Sequence, residues 1–132
     1  MTRTILFRAK SSICGEMLEG YYYFNSKFHC LKTKVGNEIL NIEIDFKTLG
    51  QFTGLYDKNK KMIFENDIVK YIDDYGNTRL GTINYLNTAS FYIIANNGDD
   101  EGNYDLEMHP DHMKNVEVLG NIHDDDNLLL PF

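Results

Sequence analysis

The sequence predicts a mostly β chain of short antiparallel strands, forming a small barrel or rolled sheet with little helix. Three observations carry this reading. Leu40, Ile42, Ile44 and Phe46 alternate with Asn41, Glu43 and Asp45, a period of two that places four apolar side chains on one strand face. Turn-forming clusters such as Asn25-Ser26-Lys27 and Asp73-Asp74-Tyr75-Gly76-Asn77 punctuate the chain at short intervals, as hairpins require. Clean helical periodicity extends over no more than a few turns anywhere. At 132 residues the chain suits a single domain, 1 to 132, large enough to bury about two thirds of its unfolded surface. Two lobes meeting near residues 50 to 55 are compatible with that reading.

The elements follow in order. Residues 22–33 read as a hairpin around Asn25-Ser26-Lys27, and 34–37 as the turn into the alternating strand. In 51–71, QFTGLYDKNKKMIFENDIVKY, Thr53-Gly54 and Asp57-Lys58-Asn59-Lys60 tolerate tight or left-handed backbone. Met62, Ile63 and Phe64, then Ile68, Val69 and Tyr71, supply strand formers on either side of an acidic turn. Strands are expected at Asp67–Ile72, Thr78–Leu86 and Ser90–Ala95, and their order suggests an SH3-like element in the C-terminal half. Residues 96–103 form a Gly-rich acidic loop, 104–108 a strand, Pro110–Asn115 a short helical turn and 116–119 a closing strand.

The 51–71 segment resembles the YopX family of phage and prophage proteins, whose shared run reads Q-Y-T-G-L-K-D-K-N-G-K-x-I-Y-E-G-D-I-V. Gln51, Thr53, Gly54, Leu55, Asp57, Lys58, Asn59, Ile63, Glu65, Asp67, Ile68 and Val69 match it. Ile5-Leu6-Phe7-Arg8-Ala9 resembles the family's I-K-F-R-A opening, and Leu119-Gly120-Asn121-Ile122 its I-G-N-I closing. The chain departs where the opening Trp-Asp is Lys10-Ser11 and where two glycines are Lys60 and Asn66. Asn66 adopts positive φ readily, Lys60 less so. The resemblance implies a small phage-encoded protein and no particular chemistry.

Composition excludes several classes. A hydrophobic share of 42% with 25% charged residues argues for a packed globule rather than disorder. The start MTRTILFRAK lacks the apolar stretch of a secretory signal, and no apolar run nears the roughly 20 residues that span a bilayer. A cytoplasmic protein without membrane association is expected. Cys14 and Cys30 lack C-x-x-C spacing, and both read as small core or half-buried thiols rather than a disulfide or metal pair. Net charge is −7, with residues 1–34 mildly basic and 99–126 strongly acidic, so the acidic part repels phosphate and disfavours nucleic acid as a partner.

Each candidate site has a plainer reading. Asn97, Asp99, Glu101 and Gly102 follow the start of an EF-hand loop, but its twelfth position is Met108, with Glu107 out of register. His109, Asp111, His112, His123, Asp124, Asp125 and Asp126 could supply metal ligands, yet their spacing lacks the H-E-x-x-H geometry. His29 and Cys30 should point to opposite faces of a strand and not touch. Asp57, Glu65 and Asp67 could pair as acid and base, though turn and capping duties explain them more simply. The stretch 21–34, YYYFNSKFHCLKTK, offers stacking rings and cations as single-strand binding surfaces do, and equally describes a half-buried hairpin. Leu128, Leu129, Leu130 and Phe132 should dock on their own sheet or a neighbouring subunit, which leaves a homo-oligomer open. We therefore expect no catalytic, cofactor or metal residues and no cofactor. The leading expectation is a non-catalytic module that binds another macromolecule, its partner an unknown protein. The alternatives are an acidic protein competing with nucleic acid for a host DNA- or RNA-binding protein, and a metal-dependent enzyme built on the His and Asp cluster at 109–126.

Overall fold

The structure is a computed structural model, and it describes residues 5–72, 75–86, 90–95, 105–107 and 110–125. These form eleven strands, β1 Phe7–Lys10, β2 Met17–Phe24, β3 His29–Val35, β4 Glu38–Glu43, β5 Gly50–Tyr56, β6 Met62–Phe64, β7 Asp67–Ile72, β8 Thr78–Leu86, β9 Ser90–Ala95, β10 Asp105–Glu107 and β11 Glu117–Asn121. Two 3-10 turns, Phe46–Thr48 and Pro110–Asn115, are the only helical pieces among the described residues. A mostly β chain is therefore what the sequence encodes. The strands order as β4-β3-β2-β1-β5-β6 in one sheet and β10-β9-β8-β7-β11 in the other. Both are open among the described residues, so of the small barrel or rolled sheet expected, a closed barrel is not found.

The chain divides into two compact units, residues 1–54 and 55–132. In the first, β2 and β3 form the expected hairpin. Asn25 closes it, its side-chain carbonyl accepting from Lys27 N at 3.0 Å and Phe28 N at 2.7 Å, while Ser26 takes the left-handed backbone at φ 75°. The register pairs Tyr22 with Leu31 and Phe24 with His29. Alternation then sends Tyr22 to the core face and Tyr21 and Tyr23 to the other. The core is small: Ala9, Leu31 and Ile44 are buried, with Phe7, Leu18, Tyr22 and Leu49 packed on them.

The alternating strand ends earlier than its pattern suggests. β4 stops at Glu43, Ile44 makes an isolated bridge to Ser11, and Phe46 lies in a 3-10 turn rather than a strand. Asp45 causes this, because its carboxylate accepts from Lys47 N at 3.1 Å and starts the turn as an N-cap does. Thr53-Gly54, expected as a turn, instead lies inside β5, with Gly54 at φ 85° marking a local irregularity in an otherwise extended strand.

In the second unit, β7, β8 and β9 occupy the predicted spans, and β11 returns to pair with β7. Ile63, Val69, Tyr71, Ile83, Phe91, Ile93, Met113 and Val116 form its core. Residues drawn from three strands of the meander, from β6 and from the second 3-10 turn thus share one apolar cluster, which dominates the stability of this unit.

Candidate functional site

The family-like segment is built around two buried carboxylates. Asp57, 6% exposed, accepts from Asn59 N at 2.8 Å and Lys61 N at 2.9 Å through one oxygen. Its second oxygen accepts from Val118 N at 2.9 Å, 61 residues along the chain. Burial pushes this carboxyl up, but the Val118, Lys61 and Asn59 N–H groups and the Lys61 charge outweigh it, and its pKa falls below the usual carboxylate value. Asp67, also buried, accepts from Phe64 N at 2.8 Å and closes the β6–β7 turn. Lys60 and Asn66, standing where the family shows glycine, take φ 65° and 76°. Asn66 further ties the turn to its unit, donating to Ile83 O at 2.8 Å and accepting from Ile122 N at 3.0 Å. These acids are committed to backbone N–H groups, which suits anchoring rather than proton transfer.

A second constellation lies in the first unit. His29 sits between two rings, Phe46 stacked on it at 4.1 Å between centroids and Phe24 tilted against it at 4.8 Å. Tyr22 completes the group, 5.8 Å from the imidazole, with its hydroxyl 2.5 Å from His29 Nδ1. Tyr22 also contacts Phe7 and Phe46, which connects the rings to the core. Phe24 and Phe46 are 54% and 52% exposed. The result is an aromatic platform whose base is anchored and whose upper rings face solvent, with His29 supplying a polar edge. Sequence reasoning placed His29 beside Cys30 and missed Phe46. The Asp45 cap before Phe46 was the available signal that this ring leaves the strand.

The remaining sequence candidates separate. Tyr23 lies on the opposite face from Tyr22, near the Lys32 ammonium at 6.0 Å, so the 21–34 stretch does not form one continuous stacking surface. Cys30 is buried and a thiol, its Sγ 3.7 Å from Phe28 O. It points away from the His29 rings, as strand alternation requires. Cys14 is exposed, which corrects its expected half-burial: it lies in the turn after the Ser11 bridge. Asn121 organises the next turn, accepting from His123 N and Asp124 N, while Asp124 and Asp125 accept from the Asn121 amide side chain and backbone. Of the candidate metal ligands, His109 and Asp126 lie outside the described residues, and so do the side chains of Asp111 and His112. Among the described residues no group of three such side chains could hold a metal ion. Asn97, Asp99, Glu101, Gly102, Met108 and the 128–132 tail also lie outside them. No helix among the described residues is long and apolar enough to cross a membrane.

A family model described as YopX protein matches residues 6–130. The chain belongs to the YopX family. Its central and closing segments and all of its opening but Ile5, read above as three separate resemblances, fall within that one match. The crystal structure of protein EF1440 from Enterococcus faecalis is similar over 98% of this chain and 100% of that one, at 25% identity and a TM-score of 0.63. No curated protein matches the chain.

Proposed function

We propose that this YopX-family protein is a non-catalytic accessory module that binds another protein, acting in the cytoplasm of a cell that carries a phage or prophage. The aromatic platform on His29 is the observation that carries the reading. Aromatic rings, phenylalanine included, are enriched in the cores of protein interfaces, because they bury large area at little rotamer cost. Asp57 and Asp67, the acids with the clearest claim to chemistry, are held by backbone donors, which favours binding over catalysis. The SH3-like reading of the second unit rests on a meander whose last strand, β11, returns beside β7 after a 3-10 turn.

Affinity capture from a lysogenic host, with wild type and the Phe24→Ser/Phe46→Ser variant as parallel baits, tests the platform. Proteins retained by wild type and lost by a variant that still melts cooperatively support it. An identical captured set on both baits removes the platform from the function. The second reading, competition with nucleic acid for a basic host protein, is favoured by the charge of residues 55–132, where fifteen acidic residues face six basic ones. It predicts a captured protein that is released by salt.

A further inference from the structure

We propose that the second unit binds a small phosphate-bearing anion in a cleft lined by Lys58, Lys70 and Lys114. The cleft, about 280 Å³ in volume, is completed by Tyr71, Ile72, Thr78, Asn115 and Glu117. Half of the six cations in residues 55–132 converge here from three separate segments, the β5–β6 turn, β7 and the second 3-10 turn. In a unit with fifteen acidic side chains, three cations lining one cleft stand against the sign of the unit's net charge.

The cleft holds more charge than its own carboxylate can balance. A single oxygen of Glu117 faces both Lys58 Nζ at 3.5 Å and Lys70 Nζ at 3.4 Å, and Lys114 makes no ion pair among the described residues. Among the described lining residues, three ammonium groups against one carboxylate leave a formal surplus of two positive charges. A phosphate monoester carries about 1.5 to 2 negative charges at neutral pH, which matches that surplus. Stability does not account for the arrangement, since exposed lysine–carboxylate pairs contribute about 0 to 1 kcal/mol and unpaired ammoniums repel one another. The backbone beneath is fixed: Lys58 N donates to Val116 O at 2.9 Å and Val116 N to Met113 O at 3.1 Å, so Lys58 and the end of the 3-10 turn keep their spacing before a ligand arrives. The Thr78 hydroxyl and Asn115 amide add neutral donors of the kind that orient a phosphoryl oxygen.

Size and field together restrict the ligand. Typical small-molecule sites span about 300 to 1,000 Å³, so this cleft, at the lower edge of that range, takes a phosphoryl group together with a small substituent. A long polyanion would bring many further negative charges to a unit whose own formal charge is negative, an unfavourable approach, whereas a compact phosphate brings few. The chemistry selected is therefore inorganic phosphate, pyrophosphate or the terminal phosphate of a small ester, rather than a nucleic-acid backbone.

The test is a thermal-melt and amide chemical-shift titration of the full chain with inorganic phosphate and with pyrophosphate, against sodium chloride at matched ionic strength. We expect a saturable rise in melting temperature with either phosphate, shifts concentrated at Ile72, Thr78 and Asn115, and at least about tenfold weaker binding in Lys70→Gln/Lys114→Gln. Without phosphate that variant should melt at or above the wild-type temperature, because it relieves repulsion. An equal rise in chloride, or an undiminished phosphate response in the variant, overturns the site. Single-stranded DNA binding here as tightly as pyrophosphate overturns the restriction to small anions.

Discussion

Three residues off the common backbone regions show how the family pattern acts on a single position. Lys60 and Asn66 stand where the family has glycine, and each holds the positive φ that glycine would adopt without strain. A side chain in the left-handed region costs about 1 to 2 kcal/mol for most residues and less for asparagine. Lys60→Gly should therefore raise stability by roughly 1 kcal/mol and Asn66→Gly should be neutral or slightly favourable, read as shifts in the urea midpoint. Gly54→Val should cost about 1 to 3 kcal/mol, although a Cβ there meets nothing within 4 Å. The penalty comes from its φ of 85° rather than from crowding. The sequence made the turns at 57–60 and 65–66 legible, because the residues that tolerate such backbone stood there. It did not reveal that Gly54 lies within a strand, since a glycine beside a β-branched residue reads the same in a turn and in a strand irregularity.

Among the elements, the spans of β7, β8 and β9 were legible in full because each is rich in β-branched and aromatic residues and bounded by turn clusters, even with Gly81 and Asn84 inside β8. β4 was overextended for a physical reason. The period-two pattern continues to Phe46, but the Asp45 cap withdraws Lys47 N from any ladder and turns the chain. That local hydrogen bond is what places Phe46 on His29, and so the aromatic platform was not legible from alternation. The β2–β3 pairing carries a tighter constraint at Gly20, where an added Cβ would run into the backbone carbonyl of Lys32. Because backbone, not a movable side chain, stands in the way, Gly20→Ala should force the two strands apart and cost about 1 to 3 kcal/mol. Chemical denaturation would register this as a lower midpoint, and an unchanged midpoint would mean that the hairpin absorbs the methyl group.

For the molecule as a whole, the residues that make the chain recognisable as a YopX protein are those that hold its second unit together. Asp57 is the clearest case, joining the β5–β6 turn to β11 across 61 residues of chain. Its lowered pKa means that the carboxylate contributes stability above the unfolded-state value, about pH 4, and that this contribution is lost as pH falls through the lower folded value. Such a role was visible in the sequence only as a turn-forming aspartate; the distant partner, Val118, lies in a segment whose pattern says strand and nothing more. Equilibrium urea unfolding of Asp57→Asn beside wild type at pH 7 tests this most directly. The substituted amide puts an N–H group where either Val118 or the Asn59 and Lys61 amides need an acceptor, so the account predicts a loss of about 2 to 3 kcal/mol. The loss should shrink as both proteins are titrated below pH 4. Superimposable unfolding curves at pH 7 would contradict it and would return the family's central acid to a functional rather than a structural role.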